Sequence, residues 1–99
     1  MMKETTAKEI ELLLKEGNAL NIIDVREVEE VAAGKIPGAI NIPLGLVEFR
    51  MYELDKSQEY TIVCRSGTRS GRATEFLTGQ GFNAINMTGG MLAWEGEVE

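Results

Sequence analysis

The single cysteine of this 99-residue chain, Cys64, stands between an apolar run and a short glycine-containing loop. Arg65 follows it directly, Arg69 closes the loop, and Arg72 comes one helical turn later. A thiol between the end of a strand and the start of a helix meets inward-pointing backbone amides and the positive end of the helix. Such surroundings lower a thiol pKa from about 8.5 and make the thiolate available near neutral pH. The pattern therefore predicts a reactive thiolate at Cys64.

The loop leaves a simpler interpretation open. A lone cysteine is often an inert, buried apolar residue, and one that ends a strand before Ser66, Gly67 and Thr68 could be no more than core followed by a turn. The hydroxyls of Ser66 and Thr68 could donate to a substrate oxyanion or only shape that turn. Two arginines close to one cysteine, in a chain with net charge −6, favour the functional interpretation.

The absence of histidine excludes several kinds of active site. No Ser–His or Cys–His pair can form, and one cysteine without histidine cannot build the usual structural zinc sites. We therefore expect no metal ion, and any nucleophile must be activated by cations, backbone amides and a helix dipole.

A second polar group ends another apolar run, where Asp24 and Arg26 follow two isoleucines. Carboxyl ends of parallel strands share one edge of a sheet, so Asp24 is expected to pair with Arg69 and fix the base of the loop. The alternative makes Asp24 the N-cap of the next helix. The three glutamates that follow are expected to form a solvated first helical turn, and they are Glu27, Glu29 and Glu30.

The remaining pattern supplies the elements that would position these groups. Apolar, β-rich runs predict strands at residues 19–25, 39–42, 59–64 and 82–87. Helical spacing predicts a first helix that begins at a capping box of Thr6 and Glu9 and ends at Gly17. Further helices are predicted at residues 26–34, 44–54 (irregular) and 70–77, and a short helical segment after Gly89 and Gly90. Strands and helices alternate, which favours an α/β domain with a mainly parallel sheet.

Composition sets the broad class of the protein. A chain of 99 residues with 43% hydrophobic and 26% charged residues is expected to form one domain over residues 1–99. Net charge −6 argues against nucleic acid or an anionic membrane as the main partner. No secretory signal is recognisable, and a lone thiol suits a reducing compartment, so a cytoplasmic protein is expected.

Four segments together resemble the rhodanese family of sulfurtransferases: "IIDVRE", "GKIPGAINIP", "YTIVCRSGTRS" and "TGGMLAW". They lie in family order and cover nearly the whole chain. The resemblance implies a rhodanese-like α/β fold, with a five-stranded, mainly parallel sheet and helices on both faces. Lys35 departs from the family pattern, which very often has histidine there, and we expect this to affect local packing only.

The resemblance also implies the site and its reaction. Cys64 would be the nucleophile, with Arg65, Ser66, Gly67, Thr68 and Arg69 forming the substrate-binding loop around it, while Asp24 and Arg26 would support the loop. Sulfane sulfur would pass from thiosulfate or a persulfide to cyanide or a thiol through a Cys64 persulfide. No cofactor is implied, and the partners would be a small sulfur donor, a thiol acceptor and possible protein persulfides.

Two other functions fit the same segments. Phosphatases and arsenate reductases with a related fold use a loop with five residues between cysteine and arginine, whereas four residues separate Cys64 from Arg69. The smaller loop suits a single sulfur atom better than a tetrahedral oxyanion. A non-catalytic sulfur carrier or redox-sensing module is the other alternative, since a reactive thiol can be modified as a signal.

Overall fold

Strands and short helices alternate through residues 2–99, the part of the chain that the computed structural model describes. The strands are β1 (Lys3–Thr6), β2 (Asn21–Asp24), β3 (Ile40–Asn41), β4 (Glu59–Val63) and β5 (Asn83–Thr88). The helices are α1 (Ala7–Lys15), α2 (Val28–Ala32), α3 (Val47–Arg50) and α4 (Thr68–Gly79). Short 3-10 turns at Leu44–Leu46 and Met51–Glu53 flank α3, so the irregular helix expected there is confirmed, and a third 3-10 segment spans Gly90–Ala93.

All five strands form one parallel sheet in the order β1-β5-β4-β2-β3. The α/β fold with five strands is therefore confirmed, but the residue pattern locates only four of them and misses β1. This strand lies at the edge of the sheet and only Thr5 within it is buried. The four residues of β1 are all polar and carry no hydrophobic signal that would predict a strand, and pairing with β5 supplies the stabilisation.

The sheet divides the core into two layers, because successive strand residues point to opposite faces. On β2, Ile23 packs into the layer that contains Val47 of α3 and Leu77 of α4. Its neighbour Ile22 packs into the other layer with Ile10 of α1. The helices thus cover both faces of the sheet, as the resemblance implied.

Helix α1 begins with half of the predicted capping box. The Thr6 hydroxyl accepts a hydrogen bond from the backbone N–H of Glu9 at 3.1 Å. The Glu9 carboxylate accepts instead from the hydroxyl of Thr5 at 3.0 Å. Thr5 is available because it belongs to β1, the strand that the sequence pattern misses.

The carboxyl ends of the strands bring together the segments that the sequence analysis singled out. The N–H of Val25, just after β2, donates to the carbonyl of Val63 at the end of β4 at 2.8 Å. After β5, the N–H of Met91 donates to the carbonyl of Cys64 at 2.9 Å. Leu92 donates likewise to the carbonyl of Arg65 at 3.0 Å. The cysteine loop is therefore held from both sides by backbone hydrogen bonds.

Among residues 2–99, no helix has the length and apolar character that a membrane span needs.

Candidate active site

The loop between β4 and α4 folds around the sulfur of Cys64. Gly67 precedes α4 with a φ of +104°, and its N–H donates to the Cys64 Sγ at 3.0 Å. Glycine adopts this left-handed conformation at little cost, whereas other residues rarely do. A Cβ on Gly67 would also lie 3.3 Å from the backbone nitrogen of Gly89. Both the conformation and the close approach of the neighbouring loop therefore require glycine here.

Cys64 is only 1% exposed, and its sulfur lies 3.3 Å from the Ser70 hydroxyl oxygen. Burial raises the pKa of Cys64, but the hydrogen bond with the Ser70 hydroxyl and those from the amides of Ser70, Gly67 and Ser66 outweigh burial and lower the pKa below its usual value. The amide nest expected from the loop pattern thus surrounds the sulfur. Backbone amides and a hydroxyl, rather than arginine side chains, produce this shift.

The predicted ion pair between Asp24 and Arg69 is wrong. The Asp24 carboxylate accepts hydrogen bonds from Nε of Arg26 at 3.0 Å and from Nη2 at 2.8 Å. Arg69 instead donates from its two terminal nitrogens to the carboxylate of Glu30, at 2.6 and 2.8 Å. The buried carboxylate of Asp24 is paired with Arg26, two residues along the chain. Helix α2 places Glu30 next to Arg69.

The expectation of three solvated glutamates is therefore only partly right. Glu27 and Glu29 are exposed, but Glu30 is half-buried against Arg69. The alternative role of Asp24 as a helix N-cap is wrong as well. Glu27 precedes the first residue of α2, and its backbone N–H donates to the Glu30 carboxylate at 2.9 Å.

Asp24 and Arg26 anchor helix α2, which carries the partner of Arg69. Besides its bonds to Asp24, the Arg26 guanidinium donates to the carbonyl of Glu30 at 3.4 Å and to that of Gly34 at 2.8 Å. Their side chains are 1% and 8% exposed, so the pair is a fixed, buried anchor for α2. Because α2 carries Glu30, this anchor also fixes the partner of Arg69.

The other loop residues face solvent. Arg65, Ser66 and Thr68 are exposed, and within residues 2–99 the Arg65 side chain makes no hydrogen bond or ion pair. Arg72 is also exposed and lines a cavity of about 200 Å³ between α3 and α4.

Comparison with known proteins assigns this arrangement to a family. The sequence profile of the Rhodanese-like domain matches residues 6–97. The chain belongs to the rhodanese family. The crystal structure of a rhodanese-like domain protein from Staphylococcus aureus is similar over 99% of this chain and 97% of that one, with a TM-score of 0.93 and 39% sequence identity.

Named sulfurtransferases are among its relatives. YtwF of Bacillus subtilis, provisionally named a sulfurtransferase, is 44% identical over 98 residues, which cover 99% of this chain and 95% of that protein. The thiosulfate sulfurtransferase GlpE of Pseudoalteromonas translucida is 37% identical over 90 residues, which cover 90% of this chain and 84% of that protein. This chain therefore spans most of the length of both relatives.

Lys35, the departure from the rhodanese pattern, binds the turn before β3 and the C-terminal residue. Its ammonium group donates to the carbonyl of Ala39 at 3.0 Å and forms an ion pair with Glu99 at 2.6 Å. The backbones of Lys35 and Glu99 also exchange two hydrogen bonds, at 3.2 and 2.8 Å. The residue therefore ties the C-terminal segment to the turn before β3.

Three polar residues of this rhodanese site are absent from the sequence-based set. They are Glu30, which binds Arg69, and the buried Ser70 and Asn86, whose side chains are joined by a hydrogen bond of 2.6 Å. The sequence signals for them are weak: one of three nearby glutamates, a hydroxyl directly after Arg69, and an asparagine inside a predicted strand. None of these signals reveals a partner, because Glu30 and Arg69 are 39 residues apart in the sequence and Ser70 and Asn86 are 16 residues apart.

The Glu30–Arg69 pair predicts a pH-dependent contribution to stability. Hydrogen bonds from Arg69, then from the backbone of Glu27, hold the pKa of Glu30 at about 2, below its ordinary value of 4.5. A depressed carboxyl pKa stabilises the fold above the ordinary value, and the contribution disappears as the pH falls toward the folded value. We expect Glu30→Gln to lower the free energy of unfolding by about 1 kcal/mol at pH 7, since the pair is partly exposed.

Urea unfolding between pH 7 and pH 2 measures this effect. The difference between wild type and Glu30→Gln should be constant above about pH 5 and should vanish near pH 2. Glu29→Gln is the matched control, because the exposed Glu29 side chain makes no hydrogen bond or ion pair within residues 2–99. A difference that persists unchanged to pH 2 would contradict an electrostatic origin.

Proposed function

We propose that the protein is a sulfurtransferase that carries sulfane sulfur as a persulfide on Cys64. The observation that carries this proposal is the cradle around one sulfur atom: the Gly67 N–H donates to Sγ at 3.0 Å, the amides of Ser66 and Ser70 act in the same sense, and the Ser70 hydroxyl lies 3.3 Å away. Such donors stabilise a thiolate without a general base. Membership of the rhodanese family and the similarity to GlpE support sulfur transfer as the reaction that this thiolate performs.

The reaction would be a double displacement. The Cys64 thiolate attacks the outer sulfur of thiosulfate, a bond forms between the two sulfurs, and sulfite leaves with the electron pair of the broken S–S bond. An acceptor thiolate, or cyanide in the laboratory, then attacks the outer sulfur of the persulfide. The Sγ–S bond breaks and its electron pair regenerates the Cys64 thiolate, so no external oxidant or reductant is needed.

The loop would stabilise negative charge in both steps. Amides fixed before the reaction begins stabilise developing charge without reorganisation, which is the main source of catalysis in many enzymes. The exposed Arg65 would attract the anionic donor and hold the leaving sulfite. Arg69 would act at a distance, since its guanidinium is committed to Glu30.

The same commitment weighs against a phosphatase or arsenate reductase. A tetrahedral oxyanion needs an arginine that faces it with two donors, as bidentate recognition requires. Arg69 directs two donors at Glu30 instead, and only four residues separate it from Cys64. A loop of this size and charge arrangement suits one sulfur atom.

The partners of this reaction would be a small sulfur donor, thiosulfate or a persulfide, and a thiol acceptor that includes protein thiols. A single free thiol keeps its reactivity best in a reducing compartment, and we propose the cytoplasm as the place of the reaction. No metal ion or organic cofactor enters either step.

Mass spectrometry and a turnover assay test the proposal together. Incubation with thiosulfate should add the mass of one sulfur atom to the intact protein, and peptide mapping should place it on Cys64. Cyanide should then remove the sulfur and yield thiocyanate, repeatedly when both reagents are present. An adduct without turnover would support the sulfur-carrier alternative, and folded protein with a free thiol that gains no sulfur would refute the thiosulfate reaction.

A further inference from the structure

Behind Cys64 lies a chain of three buried side chains that continues into the fold. Sγ of Cys64 is 3.3 Å from Oγ of Ser70, and that hydroxyl is 2.6 Å from Oδ1 of Asn86. The amide nitrogen of Asn86 donates to the carbonyl of Gly67 at 3.2 Å. Ser70 and Asn86 are 0% and 4% exposed, so solvent does not replace a missing partner in this chain.

Hydrogen-bond chemistry fixes the direction of each bond. The Gly67 carbonyl can only accept, so Asn86 must present its nitrogen there and its oxygen to Ser70. That oxygen also can only accept, so the single hydroxyl proton of Ser70 is given to Asn86. The Ser70 oxygen is then left with lone pairs toward Cys64, which suits a protonated thiol that donates its S–H.

Ionisation of Cys64 upsets this arrangement. A thiolate can only accept, so Ser70 must either turn its proton from Asn86 to the sulfur or face the negative sulfur with lone pairs. The first choice leaves the buried Asn86 oxygen without a donor, and the second forgoes a hydrogen bond to the charged sulfur. Both disfavour the thiolate, because an unsatisfied buried polar group is costly.

We propose that Asn86 is a positioning residue that sets the protonation and reactivity of Cys64 by competing with its sulfur for the hydroxyl proton of Ser70. The amides of the loop favour ionisation of Cys64, and Asn86 disfavours it by holding the Ser70 proton. The thiolate is therefore more basic and more nucleophilic than the loop amides alone would make it. In a Cys64 persulfide the charge resides on the outer sulfur, so the proton of Ser70 can return to Asn86. The consequence for catalysis rests on the proposed sulfur transfer, whereas the competition for the proton does not.

A double-mutant cycle measured on the thiol itself tests this competition. The rate of alkylation by iodoacetamide as a function of pH gives the thiol pKa whether or not the protein transfers sulfur. Asn86→Leu frees the Ser70 proton for the sulfur and should lower the pKa of Cys64 by about one pH unit, and Ser70→Ala should raise it by a similar amount. In the Ser70→Ala background, Asn86→Leu should have no further effect.

The control uses the same substitution elsewhere on β5. Asn83 is exposed and binds Lys3 at 2.8 Å, so Asn83→Leu should leave the thiol pKa unchanged. Urea unfolding verifies that each variant folds, and Asn86→Ala replaces Asn86→Leu if leucine does not fit the site. An equal shift by the Asn86 substitution in both backgrounds, or no shift in either, would overturn the proposal. A pKa that follows this cycle in a protein without sulfur transfer would refute only the proposed function.

Discussion

Cys64→Ala is expected to abolish thiocyanate formation from thiosulfate and cyanide, together with the sulfur adduct on the intact protein. The chain contains one cysteine and no histidine, so no second thiol or imidazole can take over. Without the Cys64 sulfur, no atom in the loop can form a covalent bond to the transferred sulfur. Removal of a catalytic nucleophile lowers reaction rates by up to about 10⁶-fold. Turnover in the variant should equal that of buffer alone.

Cys64→Ser separates the chemistry of the thiol from its place in the core. Serine keeps a hydrogen-bonding group beside Gly67 and Ser70, but its hydroxyl is a far weaker nucleophile than a thiolate at neutral pH. Both variants should be inactive and both should unfold cooperatively in urea. Turnover above the blank in either folded variant would contradict the persulfide mechanism.

Gly90→Ala is expected to lower the free energy of unfolding by more than about 3 kcal/mol and to reduce sulfur transfer at least a hundredfold. An ideal Cβ on Gly90 would lie 2.5 Å from the carbonyl carbon and oxygen of Arg65 and 2.5 Å from the carbonyl oxygen of Cys64. These are backbone atoms and cannot rotate away. The two hydrogen bonds from Met91 and Leu92 to the same carbonyls would have to lengthen, and the loop would move.

Gly17→Ala is the matched control for Gly90→Ala. Both glycines have positive φ, +87° and +55°, but a Cβ on Gly17 would meet nothing within 4 Å. Its substitution reports the conformational cost alone, about 1 kcal/mol, and should leave sulfur transfer unchanged. Urea unfolding and the thiocyanate assay compare the two variants, and equal losses would show that the contact with the cysteine loop is unimportant.

Local signals were sufficient for most of the fold. The run that became β4 is buried from Tyr60 to Val63, and its length and apolar character predicted a strand without knowledge of its neighbours. The glycine at position 67 and the helix after it predicted an amide nest around Cys64, and the N–H of Gly67 does donate to the sulfur. Each of these features depends on residues adjacent in the sequence.

The prediction of an ion pair between Asp24 and Arg69 failed because two arginines were available to one carboxylate. Asp24 and Arg69 are expected to meet because the strands that precede them end at the same edge of the sheet. Whether Asp24 pairs with Arg26 or with Arg69 depends on how α2 lies over that edge. In the structure Asp24 pairs with Arg26, and Arg69 pairs with Glu30. Charge and spacing alone do not decide which of several compatible ion pairs forms.

The sequence by itself determined the α/β class, the rhodanese resemblance and the cysteine loop, since these follow from hydrophobic periodicity, glycine positions and contiguous motifs. Only the tertiary structure decided the edge strand β1, the Arg69–Glu30 pair and the chain from Cys64 through Ser70 to Asn86. The physical reason is the same in each case. A short edge strand and a buried polar side chain are stabilised by partners distant in the sequence, and those partners meet only when the sheet and its helices have packed.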